Sequence, residues 1–168
     1  MPERTRRALA ARGTRPVAGD LARWGTNLAT GLPWTLAGSR GAFELDGQRY
    51  RYLYNRHKFT WLTERAVEVP VAQALVDRHA PDRVLEIGNV LSHYRPHQHL
   101  VVDKYEQAPG VLNRDVLDLG GLGRFDLIVA ISTLEHVGWD ESPRDPAKAQ
   151  RAVELLRSLL APRGRQKH

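Results

Sequence analysis

The chain has 168 residues, no cysteine, and 25 lysine and arginine residues against 19 acidic ones, for a formal net charge of +6. This length supports one ordinary domain with a substantial core but not two full ones. The absence of cysteine excludes a disulfide framework, a thiolate nucleophile and every thiolate metal site.

The first predicted segment, residues 1–41, is basic. It carries seven arginines against two acidic residues, and a second basic stretch ends the chain with Arg163, Arg165 and Lys167. Residues 42–162 hold 15 basic against 17 acidic residues, so the body of the chain is not basic. The composition of the two ends favours solvated, flexible segments over phosphate-binding arms. We therefore predict a flexible segment at 1–41, a folded domain at 42–164 and a basic tail at 165–168, with no nucleic-acid partner.

No segment is expected to target or span a membrane. The arginine-rich start has no apolar run behind it, and the stretch from Leu21 to Leu36 is interrupted by Arg23, Gly31 and Pro33. The hypothesis that follows is a cytoplasmic protein with no membrane contact.

A β-hairpin is the next predicted element. Asp46-Gly47 separates two extended runs, and this dipeptide between such runs is a strong signal for a two-residue turn. Tyr50, Tyr52 and Tyr54 alternate with other residues and so share one face of the second strand. Such a face can stack on bases, but packing against a neighbour is the interpretation that we favour.

Helices and strands then alternate. The pattern predicts helices over 60–68 and from Pro70 to about His79, because proline suits a first helical position. A last helix is predicted with Asp145 as its N-cap and with Val153 and Leu160 in its apolar stripe. Between them lie four apolar runs, typical of strands covered on both faces, at 83–87, 99–103, 111–116 and 125–131. The sequence therefore predicts an α/β fold with a parallel sheet and flanking helices.

Polar residues follow the predicted strands. Ligands of open α/β sheets bind outside the carboxyl ends of the strands, where the strand order reverses. Gly88 after the first strand lets the chain approach a ligand closely, and Asp103 after the second can accept both hydroxyls of a ribose. A dinucleotide does not fit, since G-x-G-x-x-G is missing and carboxylates disfavour phosphates. S-adenosylmethionine, which has a ribose and a sulfonium cation but no phosphate, suits this arrangement.

Four runs of sequence resemble, in order and spacing, the motifs of class I S-adenosylmethionine-dependent methyltransferases. They are VLEIGN (84–89), VVDKYE (101–106), NRDVLDL (113–119) and FDLIVAISTLEHVGWDE (125–141). Residues 54–70 also resemble the lead-in of a bacterial subgroup of this superfamily. The resemblance implies a Rossmann-like sheet and methyl transfer from S-adenosylmethionine to a small-molecule or glycan hydroxyl.

The resemblance also implies roles for single residues in the first two motifs. Glu86, Gly88 and Asn89 would lie in the loop that wraps the methionine part of the cofactor, and Asp103 would bind the ribose hydroxyls. The alternative for Glu86 is a helix-capping or ion-pairing role, because a carboxylate at the end of an apolar strand needs a partner.

In the third and fourth motifs, Asp115 would accept from the adenine amino group and Val116 would supply a backbone amide. Ser132 and Thr133 would lie beside the cofactor. The alternative for Asp115 is a plain turn residue.

Glu135 and His136 would lie at the substrate entrance. His136 is the candidate general base, although a histidine near a strand end is also a common structural residue. No metal site is predicted. His93, His97 and His99 have no carboxylate at ligand spacing, so we expect them on the surface.

Two departures from the family pattern bear on function. The first motif lacks its second glycine, and the chain ends where the fifth of seven family strands would begin, which makes it C-terminally truncated relative to that family. The four strands would then leave an open apolar edge, which a second copy of the chain could cover. A non-catalytic S-adenosylmethionine-binding or regulatory module is therefore the alternative to an enzyme, and a nucleic-acid-binding protein is a third reading that rests on charge alone.

Overall fold

The structure, a computed structural model, describes residues 41–162. These residues belong to two compact units, one ending at Val67 and the other beginning at Glu68. The predictions for residues 1–40 and 163–168 lie outside the described residues.

The predicted hairpin is confirmed. Strands β1 (Ala42–Leu45) and β2 (Gln48–Arg51) pair antiparallel around Asp46 and Gly47. Both turn residues have positive φ, 51° and 72°, which a two-residue turn matching the twist of the strands requires.

The tyrosines of the hairpin share one face, as predicted. The ring of Phe43 lies 5.3 Å from that of Tyr50 and 5.0 Å from that of Tyr52, and Tyr52 stacks on Tyr54 at 6.2 Å. The aromatic rings of this face pack against one another, while Arg49 and Arg51 are exposed.

A single helix, α1 (Arg65–Val76), replaces the two predicted helices. The preceding residues, His57–Leu62, form 3-10 turns interrupted by a kink at Lys58 and Phe59. The prediction that a helix begins at Pro70 was wrong, because Pro70 lies inside α1. Proline lacks the N–H that would bond to the carbonyl of Ala66. That carbonyl instead accepts the N–H of Leu53 at 2.9 Å, so the helix continues without an unpaired group at this position.

The second unit contains a four-stranded parallel sheet, which confirms the predicted α/β fold. Its strands are β3 (Val84–Ile87), β4 (Leu100–Val102), β5 (Val111–Leu112) and β6 (Leu127–Ala130), in the order β5-β4-β3-β6. The chain moves outward from β3 to β5 and returns to pair β6 on the other side of β3. The strand order therefore reverses between β3 and β6.

Strand β5 is shorter than the predicted 111–116. It ends at Leu112, because Asp115 forms a local turn in which its Oδ1 accepts the N–H of Leu117 at 3.0 Å. Asp115 and Val116 consequently lie in the segment after the strand.

The last helix, α2 (Lys148–Leu159), begins three residues after the predicted cap. Asp145 accepts the N–H of Ala147 at 3.2 Å before the helix starts, so Asp145 is not its N-cap. Val153 and Leu160, predicted in the apolar stripe, are exposed. The helix packs through Ala152 and Leu156 on a core that also contains Leu85, Ile87, Val102, Val116, Leu119 and Phe125.

Strand β6 forms one edge of the sheet, as predicted. The segment after α2 covers the approach to this edge, since Phe125 and Leu160 form an isolated parallel bridge. The N–H of Ala161 donates to the carbonyl of Phe125 at 2.8 Å. The predicted open edge is thus covered at the start of β6.

A bidentate ion pair lies at the beginning of strands β3 and β6. The Arg83 guanidinium contacts both carboxylate oxygens of Asp126, at 2.7 and 3.1 Å, and also the carbonyl of Arg124 at 2.9 Å. The N–H of Asp126 donates to the carbonyl of Arg83 at 2.8 Å. We call this contact the Arg83–Asp126 clamp.

Within residues 41–162, neither helix combines the length and the apolar character that crossing a membrane requires.

Candidate functional site

The loops that follow β3 and β6 meet at Gly88. Its φ is +84°, and its N–H donates to the carbonyl of Val102 at 2.8 Å. A Cβ at this position would overlap the hydroxyl of Thr133 and lie 2.9 Å from its methyl carbon. Glycine is therefore required both by the backbone conformation and by the close approach of Thr133.

The carboxylate of Asp103 lies beside this contact, after β4. Its Oδ1 accepts the N–H groups of Tyr105 and Glu106, at 2.8 and 2.7 Å, and its Oδ2 accepts the N–H of Asn89 at 3.1 Å. An ionised carboxylate has about four acceptor positions, so roughly one remains. Asp103 is partly exposed to solvent.

The side chain of Asn89 is buried, and both its amide nitrogen and its amide oxygen make hydrogen bonds. Its Nδ2 donates to Glu106 at 2.8 Å, and its Oδ1 accepts the hydroxyl of Ser92 at 2.5 Å. These bonds join the loop after β3 to the loop after β4, so Asn89 holds the crevice in shape.

Glu86 is almost completely buried in β3. Its Oε1 accepts the N–H groups of Val90 and Leu91, at 2.9 and 2.8 Å, and its Oε2 lies 2.8 Å from Nε2 of His99. These capping and ion-pairing contacts use both of its oxygens. The expectation that His99 lies on the surface was wrong, since only 5% of it is exposed. Its acidic partner is the buried Glu86, which lies 13 residues earlier in the sequence and was therefore not recognised from residue spacing.

Asp115 belongs to a cluster that we call the ion quartet: Lys104, Asp115, Glu141 and Lys148. The Nζ of Lys148 lies 2.6 Å from both acidic residues, and the Nζ of Lys104 lies 2.9 Å from Asp115 and 3.0 Å from Glu141. The cluster joins the loops after β4, β5 and β6 to the start of α2.

The pKa values of three members of the ion quartet are shifted so that their charged forms are favoured. Burial raises the pKa of Asp115, but hydrogen bonds from Lys148, the Leu117 amide and Lys104 outweigh that effect and hold the pKa well below its usual range. Hydrogen bonds to Asp115 and Glu141 raise the pKa of Lys104. Lys148 and Lys104 likewise lower the pKa of Glu141. The adjacent Val116 is buried in the core.

Ser132 occupies a strained position directly after β6. Its φ is +45°, which is unfavourable for a residue with a Cβ, and its hydroxyl donates to Glu68 at 3.2 Å. The hydroxyl of Thr133 donates to the carbonyl of Ile131 at 2.8 Å. Both side chains lie at the point where the strand order reverses.

His136 lies on the 3-10 turn Leu134–His136, directly after Ser132 and Thr133. Its Nδ1 lies 2.7 Å from Asp140, and its Nε2 lies 4.0 Å from Glu135, with the histidine side chain 62% exposed. With the proton on Nδ1 in the bond to Asp140, Nε2 carries a lone pair directed away from that bond. Asp140 was not predicted, although the i,i+4 spacing of a histidine and a carboxylate is a signal for such a pair.

A cavity of about 350 Å³ lies outside this crevice. The rings of two of its lining residues, His97 and His99, are 4.6 Å apart, and burial together with His99 lowers the pKa of His97. None of the predicted site residues lines this cavity; its lining is Ser92, Pro96, His97, Gln98, His99, Pro109 and Gly110. In the part of the chain that the structure describes, no group of three or more acidic or histidine side chains could hold a metal ion.

The structure thus brings Gly88, Asn89, Asp103 and Thr133 together, with Glu135 and His136 on the turn that follows. Glu86 lies beneath the loop, and Asp115 is engaged by two lysines. No protein-family model, curated protein or solved structure matches this chain.

Proposed function

We propose that this chain binds S-adenosylmethionine and transfers its methyl group to a hydroxyl of a small molecule or glycan. The observation that carries the proposal is the position of Asp103. Its partly exposed carboxylate follows the strand next to β3, at the edge of a parallel sheet whose order reverses between β3 and β6. Sites for ribose-bearing ligands in open α/β sheets have this arrangement.

The contacts of each carboxylate indicate the role that it has in the proposed site. Asp103 retains an acceptor position for a ribose hydroxyl, and Gly88 lets the chain approach the ligand. Glu86 and Asp115 act through the chain's own donors, so their role is to hold the loops that shape the crevice. Acidic groups at this edge favour a cationic ligand without phosphates over a dinucleotide.

When bound, the cofactor would supply a methyl group activated by a sulfonium. The chain's task is to orient the acceptor and remove its proton. The acceptor oxygen would take this methyl group as the carbon–sulfur bond breaks, with the electron pair of that bond remaining on sulfur. The hydroxyl proton passes to Nε2 of His136, whose ring is oriented by Asp140.

Calorimetric titration of the full chain with S-adenosylmethionine and S-adenosylhomocysteine tests the binding. We expect Asp103→Asn to weaken it about 10- to 100-fold, as for the loss of a hydrogen bond to a charged acceptor. The matched control, Asp82→Asn, changes an exposed residue before β3 and should leave the affinity unchanged. Folded protein that takes up neither compound, or binding that is unaffected by Asp103→Asn, would contradict the proposal.

Isotope-labelled methyl transfer to a metabolite and glycan extract separates an enzyme from a binding module. We expect label in the acceptor fraction, and we expect His136→Gln to reduce its rate about 100-fold or more while cofactor affinity is kept. Binding without any transfer would favour the non-catalytic module instead.

A further inference from the structure

Two exposed aromatic side chains flank the ion quartet. Tyr105 is 68% exposed and follows Lys104, whose Nζ lies 5.3 Å from its ring centroid. Trp139 is 51% exposed, and the Arg144 guanidinium lies 5.9 Å from its ring centroid. Because Lys104 contacts Glu141, both aromatic residues border one cluster at the carboxyl edge of the sheet. Exposed aromatic rings gathered at one edge indicate a contact surface.

The loop that carries Trp139 is held in place at both ends. The N–H of Asp145 donates to the carbonyl of Gly138 at 2.9 Å, and a Cβ on Gly138 would overlap the carbonyl of Asp145. Lys148 binds Glu141 between these points. A surface that is ordered before it binds loses less conformational freedom on binding, so this loop is suited to ligand contact.

The charged residues on and around this loop indicate which chemical class of ligand it can bind. Residues 132–147 contain four acidic residues and one basic residue, Arg144, while Lys104, Lys148 and Arg151 pair with Glu141 and Asp145. The surface is therefore close to neutral and these three cations are already paired, which disfavours the phosphates of nucleotides and nucleic acids. Asp140 and Glu135 are exposed hydrogen-bond acceptors near Trp139, and acceptors of this kind bind hydroxyl donors. A neutral ligand with many hydroxyls fits both conditions.

We infer that Trp139 and Tyr105 form a stacking site for a neutral saccharide, which presents one of its hydroxyls to His136. The C–H bonds on the face of a sugar ring carry partial positive charge, and they pack on the electron-rich face of an aromatic ring. The saccharide is then the methyl acceptor. That last step rests on the proposed function, whereas saccharide binding does not.

Nuclear magnetic resonance of the full chain, labelled with ¹⁵N in tryptophan, tests the binding. The chain has four tryptophans, so the spectrum has four indole N–H signals to assign by substitution. We titrate neutral mono- and disaccharides of glucose, galactose, mannose and N-acetylglucosamine, with and without S-adenosylhomocysteine, and use adenosine monophosphate as the phosphate-bearing comparison. We expect the Trp139 signal to shift with at least one saccharide and the Trp61 signal to stay unchanged.

Substitutions complete the test. Trp139→Ala should weaken saccharide binding about tenfold, Tyr105→Ala should weaken it less, and the control Trp61→Phe should leave it unchanged. An unmoved Trp139 signal with every saccharide overturns the inference. It is also overturned if adenosine monophosphate binds at Trp139 more tightly than any saccharide while S-adenosylhomocysteine occupies the cofactor site. Cofactor binding without saccharide binding removes only this site, while saccharide binding without cofactor binding supports the site and contradicts the proposed methyl transfer.

Discussion

The carboxylate of Glu86 lies 2.8 Å from Nε2 of His99, and both side chains are almost fully buried. Removing this carboxylate leaves His99 and two backbone N–H groups without an acceptor inside the protein. We expect Glu86→Ala to lower the free energy of unfolding by about 3–5 kcal/mol. Glu86→Gln, which retains one oxygen acceptor, should lower it less.

Urea denaturation at constant pH measures this effect. The exposed Glu154 offers a control, since Glu154→Ala should change the free energy of unfolding by no more than about 0.5 kcal/mol. Equal effects of Glu86→Ala and Glu154→Ala would show that Glu86 is not the acceptor on which this loop depends.

The ion quartet makes stability depend on pH. The folded state holds the pKa of Asp115 below its unfolded value, so this group stabilises the fold above about pH 4 and the contribution is lost as the pH falls towards the folded pKa. We expect Lys148→Met to reduce the free energy of unfolding at neutral pH by about 1.5–3 kcal/mol. It should also flatten the acid dependence.

Thermal and urea unfolding between about pH 7 and pH 2 would show this difference. Lys58→Met changes an exposed lysine of the first unit and should leave the pH dependence as it is. If the stability of Lys148→Met depends on pH in the same way as that of the unsubstituted chain, the ion quartet is not the source of the acid dependence.

Two glycine substitutions separate the steric cost of the Gly88–Thr133 contact from the cost of placing a residue with a Cβ at positive φ. Gly121 has nearly the same φ, +82°, but no atom within 4 Å of a Cβ built on it. Gly121→Ala therefore measures the backbone cost alone, about 1 kcal/mol, and Gly88→Ala should cost about 1–3 kcal/mol more because of the overlap.

A double substitution sharpens this test. Thr133→Ala leaves only the Cβ of residue 133, 3.1 Å from the added Cβ, so Gly88→Ala with Thr133→Ala should destabilise less than the two single effects added together. If the effect of the double substitution equals the sum of the single effects, the strain in Gly88→Ala does not come from Thr133.

Thr60 is a structural residue of the first unit that the sequence did not single out. It is fully buried; its hydroxyl donates to the carbonyl of Leu53 at 2.6 Å and accepts the N–H of Asn55 at 2.7 Å. Thr60→Val keeps the shape but leaves both groups unpaired, so we expect a loss of about 1–3 kcal/mol in the free energy of unfolding.

Thr60→Ser, which keeps the hydroxyl, is the matched variant and should cost less. Hydrogen exchange of the Asn55 amide gives a local readout, because its protection depends on this hydroxyl. Unchanged protection in Thr60→Val would contradict the assigned hydrogen bond.

Local chemistry made part of the fold predictable. Asp46-Gly47 specifies its turn through the backbone angles that these two residues adopt, and the run 83–87 identifies the buried strand β3 through its apolar character. In both cases the residues that determine the structure are neighbours in sequence.

Long-range partners made the remainder unpredictable. Pro70 breaks a helix in isolation, but Leu53 satisfies the carbonyl that it leaves free. The contacts of the candidate site carboxylates depend on residues far along the chain: His99 for Glu86 and Lys148 for Asp115. Only the fold decides which of these groups retain capacity for a ligand.

The Arg83–Asp126 clamp has a consequence for the opposite edge of the sheet. Exposed ion pairs of this kind contribute little to stability, about 0–1 kcal/mol. This one lies at the start of the ladder in which Val84 is opposite Leu127 and, three residues further, Ile87 is opposite Ala130. A slip of one residue would turn the side chains of β6 to the wrong faces. The clamp therefore marks the register in which β3 and β6 pair. Because the two strands keep this alignment up to their carboxyl ends, the loop after β6 reaches Gly88.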